Sequence, residues 1–227
     1  MNYIEVKIRK DEINTLIQYI EDYAFKTRGF TIDKRTKEFY RVISKQIIYF
    51  KYLLNAYPKT YFIKVIISDY LSLILNDVKL ETRYYYLNQR SIIENYMRLI
   101  LKDEQYVTHI TKQSFLDLKQ QNEKDLNEKE YNKIVNEYKI ACSYIHGGDF
   151  LKEHLLSSFE ECINSKTKIS ERQRKNQISQ FIDLINILNR LFLIHNTEEI
   201  DSAFHRSKVT LEYLMGKRYM SKFLQIK

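Results

Sequence analysis

Apolar residues recur at spacings of three and four along most of this chain, which is the pattern of amphipathic α-helices with one buried face. After Asp11, which can serve as an N-cap, Ile13, Ile17 and Ile20 repeat in this way. The same pattern predicts helices over residues 11–28, 34–55, 60–75, 80–102, 128–146, 150–163, 170–195 and 197–216. The third of these segments is apolar around most of its circumference, so we expect it to lie at the centre of the protein.

Two segments depart from the helical pattern. Residues 2–8 are the one candidate for a β-strand, and residues 120–125, within the polar stretch 103–129, predict an exposed linker or a loosely packed helical excursion. A basic tail follows Gly216. The chain has one proline and four glycines, too few for the frequent tight turns of an all-β protein. Helices therefore dominate the expected structure.

The fold class that follows is all-α, a multi-helix bundle in one domain, because no internal repeat or low-complexity segment divides the chain. Within residues 1–227 we expect a helical extension over 1–33, a core over about 35–195, and a C-terminal helix with the basic tail over 197–227.

The charge balance favours anionic partners. The chain carries 37 lysines and arginines against 29 acidic residues, a net charge of +8, which suits nucleic acid or an acidic protein. A genome poor in G and C would produce the same excess of lysine, together with the 19 tyrosines, without selection for binding. Basic clusters at 34–41, 166–175 and 217–222 either follow a phosphate backbone or are solvated helix faces. Tyr84, Tyr85 and Tyr86 either stack on bases or pack in the core.

Several classes of function are excluded by missing motifs. Cys142 and Cys162 match no metal-ligand spacing and no disulfide framework, so we expect neither a metal nor a cofactor. The chain has no phosphate-binding glycine loop, no serine-hydrolase elbow and no zinc-protease motif. The first residues lack an apolar signal core, and the most apolar run, over residues 61–75, is interrupted by charged side chains. We therefore expect no contact with membranes and a reducing cytoplasmic location.

The most informative motif lies where the helix over 128–146 ends. Lys139, Ser143 and His146 share one helix face, and Gly147 and Gly148 follow directly. A histidine at this place can serve as a general acid or base, with Lys139 binding a phosphate and Ser143 orienting the ring. The simpler alternative is that the histidine interacts with the helix dipole and the serine bonds to the backbone.

A second group of polar residues lies on the helix over 80–102. Arg90 and Glu94 are four residues apart, which is typical of a surface ion pair worth a few tenths of a kcal/mol. Apolar neighbours surround this pair, so we expect its charged groups to be hydrogen-bonded to other polar side chains, such as Ser143 and His146. Asn95 and Tyr144, beside these two groups, complete the candidate site together with Lys139 as residues that bind substrate.

These two motifs, Arg90-Ser-Ile-Ile-Glu-Asn-Tyr96 and Ser143-Tyr-Ile-His-Gly147, resemble the hallmark helices of the HEPN superfamily. That superfamily consists of helical bundles and includes many RNases and RNA-binding proteins of prokaryotic defence and toxin–antitoxin systems. The resemblance covers about residues 35–195 and implies an antiparallel HEPN-like core. It departs from the family at two points. Active members carry an arginine, then four to six intervening residues, then the histidine, usually with a polar residue directly after the arginine; here Lys139 occupies the place of the arginine, and the apolar Ile140 follows it.

A second histidine fits the family's spacing. Arg190 and His195 are separated by four residues, all of them apolar, which favours a core helix. We therefore rank His146 first and His195 second.

The resemblance implies a metal-independent endoribonuclease. The ribose 2′-hydroxyl would attack the adjacent phosphate, His146 would move a proton, and Lys139 or Arg90 would stabilise the developing charge. It also implies a homodimer, RNA as a partner, and a protein partner from the same operon. The alternative, from a different class, is a non-enzymatic helical module that acts as a regulator or adaptor in a multi-protein defence complex.

Overall fold

The computed structural model describes residues 3–57, 60–102, 109–145, 156–157 and 171–226. Ten helices and no strand are assigned in this part of the chain, which confirms the all-α fold class. The helices are α1 (Tyr3–Arg28), α2 (Lys34–Leu53), α3 (Thr60–Val78), α4 (Thr82–Leu101), α5 (Lys112–Gln121), α6 (Glu128–Ile145), α7 (Glu171–His195), α8 (Thr197–Ala203), α9 (Lys208–Met215) and α10 (Lys217–Ile226).

The predicted strand over residues 2–8 is wrong, because α1 already begins at Tyr3 and Asp11 lies inside it. Contacts with a distant helix explain the difference. Glu5 accepts a hydrogen bond from the hydroxyl of Tyr52 in α2, and Nε of Arg9 donates to the same hydroxyl at 3.1 Å. Because these bonds attach the first turns of α1 to α2, the helix extends beyond the N-cap that the sequence offers.

The prediction of an exposed segment over 120–125 is confirmed at Gln120, Gln121, Glu123 and Lys124 and is wrong at Asn122. Asn122 is 3% exposed, and its side-chain amide donates to the carbonyl of Leu118 at 2.8 Å. Leu118 and Leu126 on either side of the turn belong to the hydrophobic core. This polar segment is therefore a tightly packed turn between α5 and α6, because its few apolar residues are buried and its asparagine satisfies the backbone.

The C-terminal part also differs from the prediction. The helix expected over 197–216 is interrupted after Ala203, because Phe204 turns into the core and is fully buried. Gly216 ends the second piece, as predicted. The expected basic tail is the helix α10, which Phe223 anchors in the core.

Three helices have the most neighbours among the described elements. Helix α2 packs against α1, α3, α7, α8 and α9, helix α7 packs against α2, α4, α6, α8 and α10, and helix α4 packs against α3, α5, α6 and α7. Aromatic rings fill the space between them in tilted and edge-to-face pairs, such as Phe50 with Tyr96 at 5.4 Å between ring centroids. The largest fully buried aromatic side chains are Tyr40, Tyr49, Tyr70, Tyr85, Tyr96, Phe39, Phe50, Phe181, Phe192, Phe204 and Phe223. The sequence left open whether the tyrosine triplet stacks on bases or packs in the core, and Tyr85 packs in the core.

A tight turn joins α3 to α4 as an antiparallel pair. Leu80 has a φ of 58°, an uncommon conformation for a residue with a side chain. The amides of Leu80 and Glu81 donate to the carbonyls of Asp77 and Asn76 at 3.1 and 2.8 Å. The turn thereby fixes Asp77 at the end of α3 and directs α4 back along the bundle.

None of the described helices combines the length and the apolar character that crossing a bilayer requires.

Candidate functional site

The candidate site lies along the contact between α4 and α6, which run antiparallel. Contacts from the start of α4 reach the end of α6, as in Arg83 with the Ile145 carbonyl and Tyr86 with Tyr144, whereas contacts from later in α4 reach the middle of α6, as in Gln89 with Glu137 and Glu94 with Tyr138. We call this contact the α4–α6 seam. It joins the two segments in which the sequence places the candidate residues.

Three side chains at the middle of the seam form what we call the open cluster: Arg90, Glu94 and Tyr138. Oε1 of Glu94 accepts hydrogen bonds from Nε of Arg90 at 2.8 Å and from the hydroxyl of Tyr138 at 2.9 Å. The Arg90 guanidinium lies over the Tyr138 ring at 5.6 Å. Arg98 approaches the second oxygen of Glu94 at 3.7 Å. The carboxylate therefore orients two cations and one hydroxyl.

The open cluster is partly accessible to water. The side chains of Arg90 and Glu94 are 30% and 16% exposed. Burial acts to lower the pKa of Arg90, but the hydrogen bond and charge of Glu94 outweigh it and raise that pKa. Burial and the nearby Glu94 carboxylate raise the pKa of Tyr138. Among the described residues the terminal nitrogens of Arg90 have no hydrogen-bond partner, so this edge of the guanidinium is free to bind an anion.

The other candidates on α6 take different positions. The Ser143 hydroxyl donates to the Ile140 carbonyl of its own helix at 2.8 Å, which is the simpler role that the sequence allows. Lys139 is exposed. Tyr144 is 43% exposed and stacks on Tyr86, with ring centroids 4.1 Å apart. Both Ser143 and Lys139 thus lie on the solvent side of α6, outside the hydrogen bonds of the open cluster.

Asn95 has a structural role in α4. It is 4% exposed, and its amide donates to the carbonyl and hydroxyl of Ser91 at 2.7 and 3.2 Å. Its side-chain oxygen accepts from Arg98 at 3.2 Å. These bonds engage both ends of the side chain, which leaves Asn95 to orient Arg98 rather than to face solvent.

His146, the first-ranked histidine, lies outside the described residues, as do Gly147 and Gly148. The residue before it is described: the carbonyl of Ile145 accepts a hydrogen bond from Nη2 of Arg83 at 3.0 Å. Seven residues separate Ile145 from Tyr138, which corresponds to about 10 Å along a helix axis. The described end of α6 thus lies about two turns beyond the open cluster.

The second-ranked histidine, His195, is half-buried at the end of α7. Its Nε2 is 2.8 Å from the side-chain oxygen of Asn122, and burial together with the charge of Lys102 lowers its pKa. Arg190 binds the same turn, through the Asp125 carbonyl and the Glu130 carboxylate, at 2.6 Å in both cases. Arg190 and His195 therefore fasten the turn between α5 and α6.

A second cluster has the same chemical composition and was not predicted from the sequence. We call it the buried cluster, and it consists of Tyr40, Asp77 and Arg174. Oδ2 of Asp77 accepts from the Tyr40 hydroxyl at 2.6 Å and from Nη2 of Arg174 at 2.8 Å. Burial raises the pKa of Asp77, whereas Arg174 and Tyr40 act to lower it. The Asp77 carboxylate in turn raises the pKa of Arg174 against the effect of burial. The separations of 37 and 97 residues gave no signal in the sequence.

The described residues contain no group of three or more histidine, cysteine or acidic side chains that could hold a metal ion.

Comparison with known proteins gives no further identification. No protein-family model matches the chain, and searches of curated proteins and of solved structures found no significant match.

Proposed function

We propose that this protein is a HEPN-like RNA-binding protein that acts in prokaryotic antiviral defence or in a toxin–antitoxin system, with metal-independent RNA cleavage as its activity. The observation that carries the proposal is the open cluster. Glu94 and Tyr138 hold the Arg90 guanidinium in place, while its terminal nitrogens are free of partners among the described residues. A guanidinium fixed in this way suits a phosphate, which it can bind through two parallel hydrogen bonds.

The proposed reaction needs a proton acceptor and a cation. The ribose 2′-hydroxyl attacks the adjacent phosphorus, and its proton passes to His146. The bond to the 5′ oxygen of the next nucleotide breaks, that oxygen takes up a proton from water, and a cyclic 2′,3′-phosphate remains. Arg90 stabilises the negative charge that develops on the phosphate oxygens, and Lys139, exposed on α6, binds a neighbouring phosphate. A homodimer would place two such sets of residues side by side, and the cytoplasm is the compartment where the RNA would be met.

RNA binding is tested by the salt dependence of affinity. We expect Arg90→Gln to weaken the binding of a fluorescent single-stranded RNA and to reduce the slope of log K against log salt by about 0.7. Lys10→Gln, an exposed position on α1, is the matched control for the loss of one positive charge. An unchanged slope in Arg90→Gln would remove Arg90 from the binding site.

Cleavage is tested with purified protein, a pool of tRNA and mRNA, and EDTA to remove metal ions. We expect wild-type protein to cut the RNA and His146→Ala to lose this activity while keeping its helical circular dichroism spectrum. His195→Asn is the comparison for the second histidine and should retain activity. If wild-type protein leaves the RNA intact, the enzymatic part of the proposal fails even if binding persists.

The alternative function, a non-enzymatic interaction module, is favoured by a different observation. Much of the α4–α6 seam is used for internal contacts, as with the Gln89–Glu137 bond at 2.9 Å. Apolar side chains on the outer surfaces of α3, α4 and α6 remain 40–47% exposed; these are Leu71, Leu75, Leu87 and Ile140. Such residues suit a protein partner encoded in the same operon. Co-purification of a stable complex that is unaffected by His146→Ala would favour this function.

A further inference from the structure

A cleft lies where α1, the end of α2 and α8 meet, and no residue of the α4–α6 seam lines it. Its volume is about 420 Å³, which falls in the range of sites for small molecules. The side chains that line its polar part are Arg9, Glu12, Lys51, Asn55 and Ser202. Ile48 and Ala203 contribute apolar surface. None of these residues takes part in the proposed RNA site.

Arg9 is held in the cleft by contacts on several sides. Its Nε donates to the Tyr52 hydroxyl at 3.1 Å, its Nη1 bonds to Glu12 at 2.9 Å, and its guanidinium lies 5.5 Å from the centre of the Tyr52 ring. Its remaining nitrogen, Nη2, has no hydrogen-bond partner within the described ranges. Arg9 is thus pre-oriented, which lowers the entropic cost of binding a ligand through that nitrogen.

The charge of the lining favours an anion. Arg9 and Lys51 carry two positive charges against one negative charge on Glu12. Glu12 is already paired with Arg9, whereas Lys51 has no ion-pair partner in the part of the chain that the structure describes. An oxyanion placed between Lys51 and Nη2 of Arg9 would meet both cations.

The other residues of the cleft indicate the chemical class of the ligand that carries the anionic group. The Tyr52 ring is already in contact with Phe204, which stacks on it at 4.7 Å between ring centroids, and with the Arg9 guanidinium, 5.5 Å from the ring centre. These contacts cover part of the ring and disfavour the stacking of a base on it. Asn55 and Ser202 instead present an amide and a hydroxyl, which are suited to the hydroxyl groups of a ligand.

We propose that the cleft between Arg9, Lys51 and Ser202 binds a small hydroxylated organic anion, either a sugar phosphate or a sugar acid. The oxyanion lies between Lys51 and Arg9, and the hydroxyl groups lie against Asn55 and Ser202.

The test uses isothermal titration calorimetry of the full chain with two anions and their neutral counterparts. The probes are D-ribose 5-phosphate against D-ribose, and D-gluconate against D-glucose. We expect saturable binding of at least one anion and none of the sugars. Stronger binding of the phosphate would identify a sugar phosphate as the ligand class, and stronger binding of gluconate a sugar acid.

Three variants locate the binding. We expect Lys51→Glu to weaken binding of the preferred anion by about tenfold or more. Ser202→Trp should block the cleft sterically without a change in charge. Lys10→Glu, the neighbouring exposed lysine outside the cleft, should bind as wild type. Circular dichroism confirms that each variant is folded.

Several results would overturn the proposal: no binding of either anion at millimolar concentration, equal binding of the neutral sugars, or an equal loss in Lys10→Glu. Inorganic phosphate that binds as tightly as ribose 5-phosphate would overturn the role of the hydroxyl groups. Single-stranded RNA that competes for the cleft would show that it belongs to a polymer surface. The proposed RNA site is not affected by any of these outcomes, because Arg90 and His146 are left intact.

Discussion

The open cluster on the α4–α6 seam and the buried cluster between α2, α3 and α7 contain the same three kinds of side chain. In each, one carboxylate oxygen accepts a hydrogen bond from an arginine at 2.8 Å and another from a tyrosine hydroxyl. They differ in exposure: the arginine is 30% exposed in the open cluster and 18% in the buried one. The same bonding pattern is therefore found in two electrostatic environments.

This difference in burial indicates different roles. In the buried cluster, Nε of Arg174 is sealed from water without a partner, as is the hydroxyl of the neighbouring Tyr85. Because water does not reach these atoms, it does not replace a partner that a substitution removes, and each group left unpaired costs about 1–3 kcal/mol. The cluster therefore specifies how α7 docks on α3. In the open cluster the free nitrogens of Arg90 lie where solvent and ligands have access. Burial thus assigns one cluster to stability and leaves the other available for binding.

The largest effect is expected when the buried ion pair is broken. Arg174→Met should lower the free energy of unfolding by about 3–5 kcal/mol, because it leaves the Asp77 carboxylate buried without its cation. Urea denaturation followed by circular dichroism measures this change. The double variant Asp77→Leu with Arg174→Met should recover much of the loss, since no charge then remains buried. A loss below about 1 kcal/mol in the single variant would mean that the two clusters do not differ in role.

A smaller contrast is expected between the two tyrosines. Tyr40→Phe should cost about 1–3 kcal/mol, because Asp77 loses a hydrogen bond that water does not replace. Tyr138→Phe should cost no more than about 1 kcal/mol, because Glu94 can bind water instead. Both free energies come from the same denaturation measurement. Equal decreases in the free energy of unfolding for Tyr40→Phe and Tyr138→Phe would show that water does not replace the lost hydrogen bond in the open cluster.

A still smaller effect on stability is expected at Arg90. A substitution there should lower the affinity for RNA without a large change in the free energy of unfolding. Arg90→Met should change the free energy of unfolding by less than about 1 kcal/mol, as is usual for a half-exposed ion pair. Its affinity for single-stranded RNA should nevertheless fall, and Lys10→Met provides the comparison for a surface cation. Destabilisation as large as in Arg174→Met would show that Arg90, like Arg174, mainly stabilises the fold.

The smallest effect is the pH dependence of Glu137, which pairs with Gln89 on the seam. Burial raises the pKa of this carboxyl above its ordinary value. The folded state thus holds the proton to higher pH than the unfolded chain does. The stabilising contribution is complete below the unfolded pKa and is lost as the pH rises through the folded pKa.

Glu137→Gln removes this titration while it keeps the size of the side chain. The melting temperature of the wild type relative to Glu137→Gln should therefore decrease between pH 4 and pH 7. Lys139→Gln, exposed on the same helix, should show no such trend. A difference that stays constant with pH would contradict the raised pKa.

The sequence alone identified the features that depend on local geometry. Helical periodicity located the C-terminal ends of α1 and α7 and the start of α6 within a residue, because a buried face must repeat every three or four positions. The Arg90–Glu94 pair was visible for the same reason, since residues four apart meet on any helix. The fold class followed from these patterns and from the scarcity of glycine and proline.

Tertiary packing decided what periodicity does not encode. The start of α1 depends on a hydrogen bond to Tyr52 of another helix. Asn122 is buried because helices pack around a turn whose sequence is polar. The buried cluster joins residues as far apart as Tyr40 and Arg174. The physical reason is that spacing fixes which side chains share a face, whereas the dielectric environment of a charge depends on which helices cover it. The sequence alone thus determined which residues can meet within a helix, and packing between helices determined which of them were removed from water.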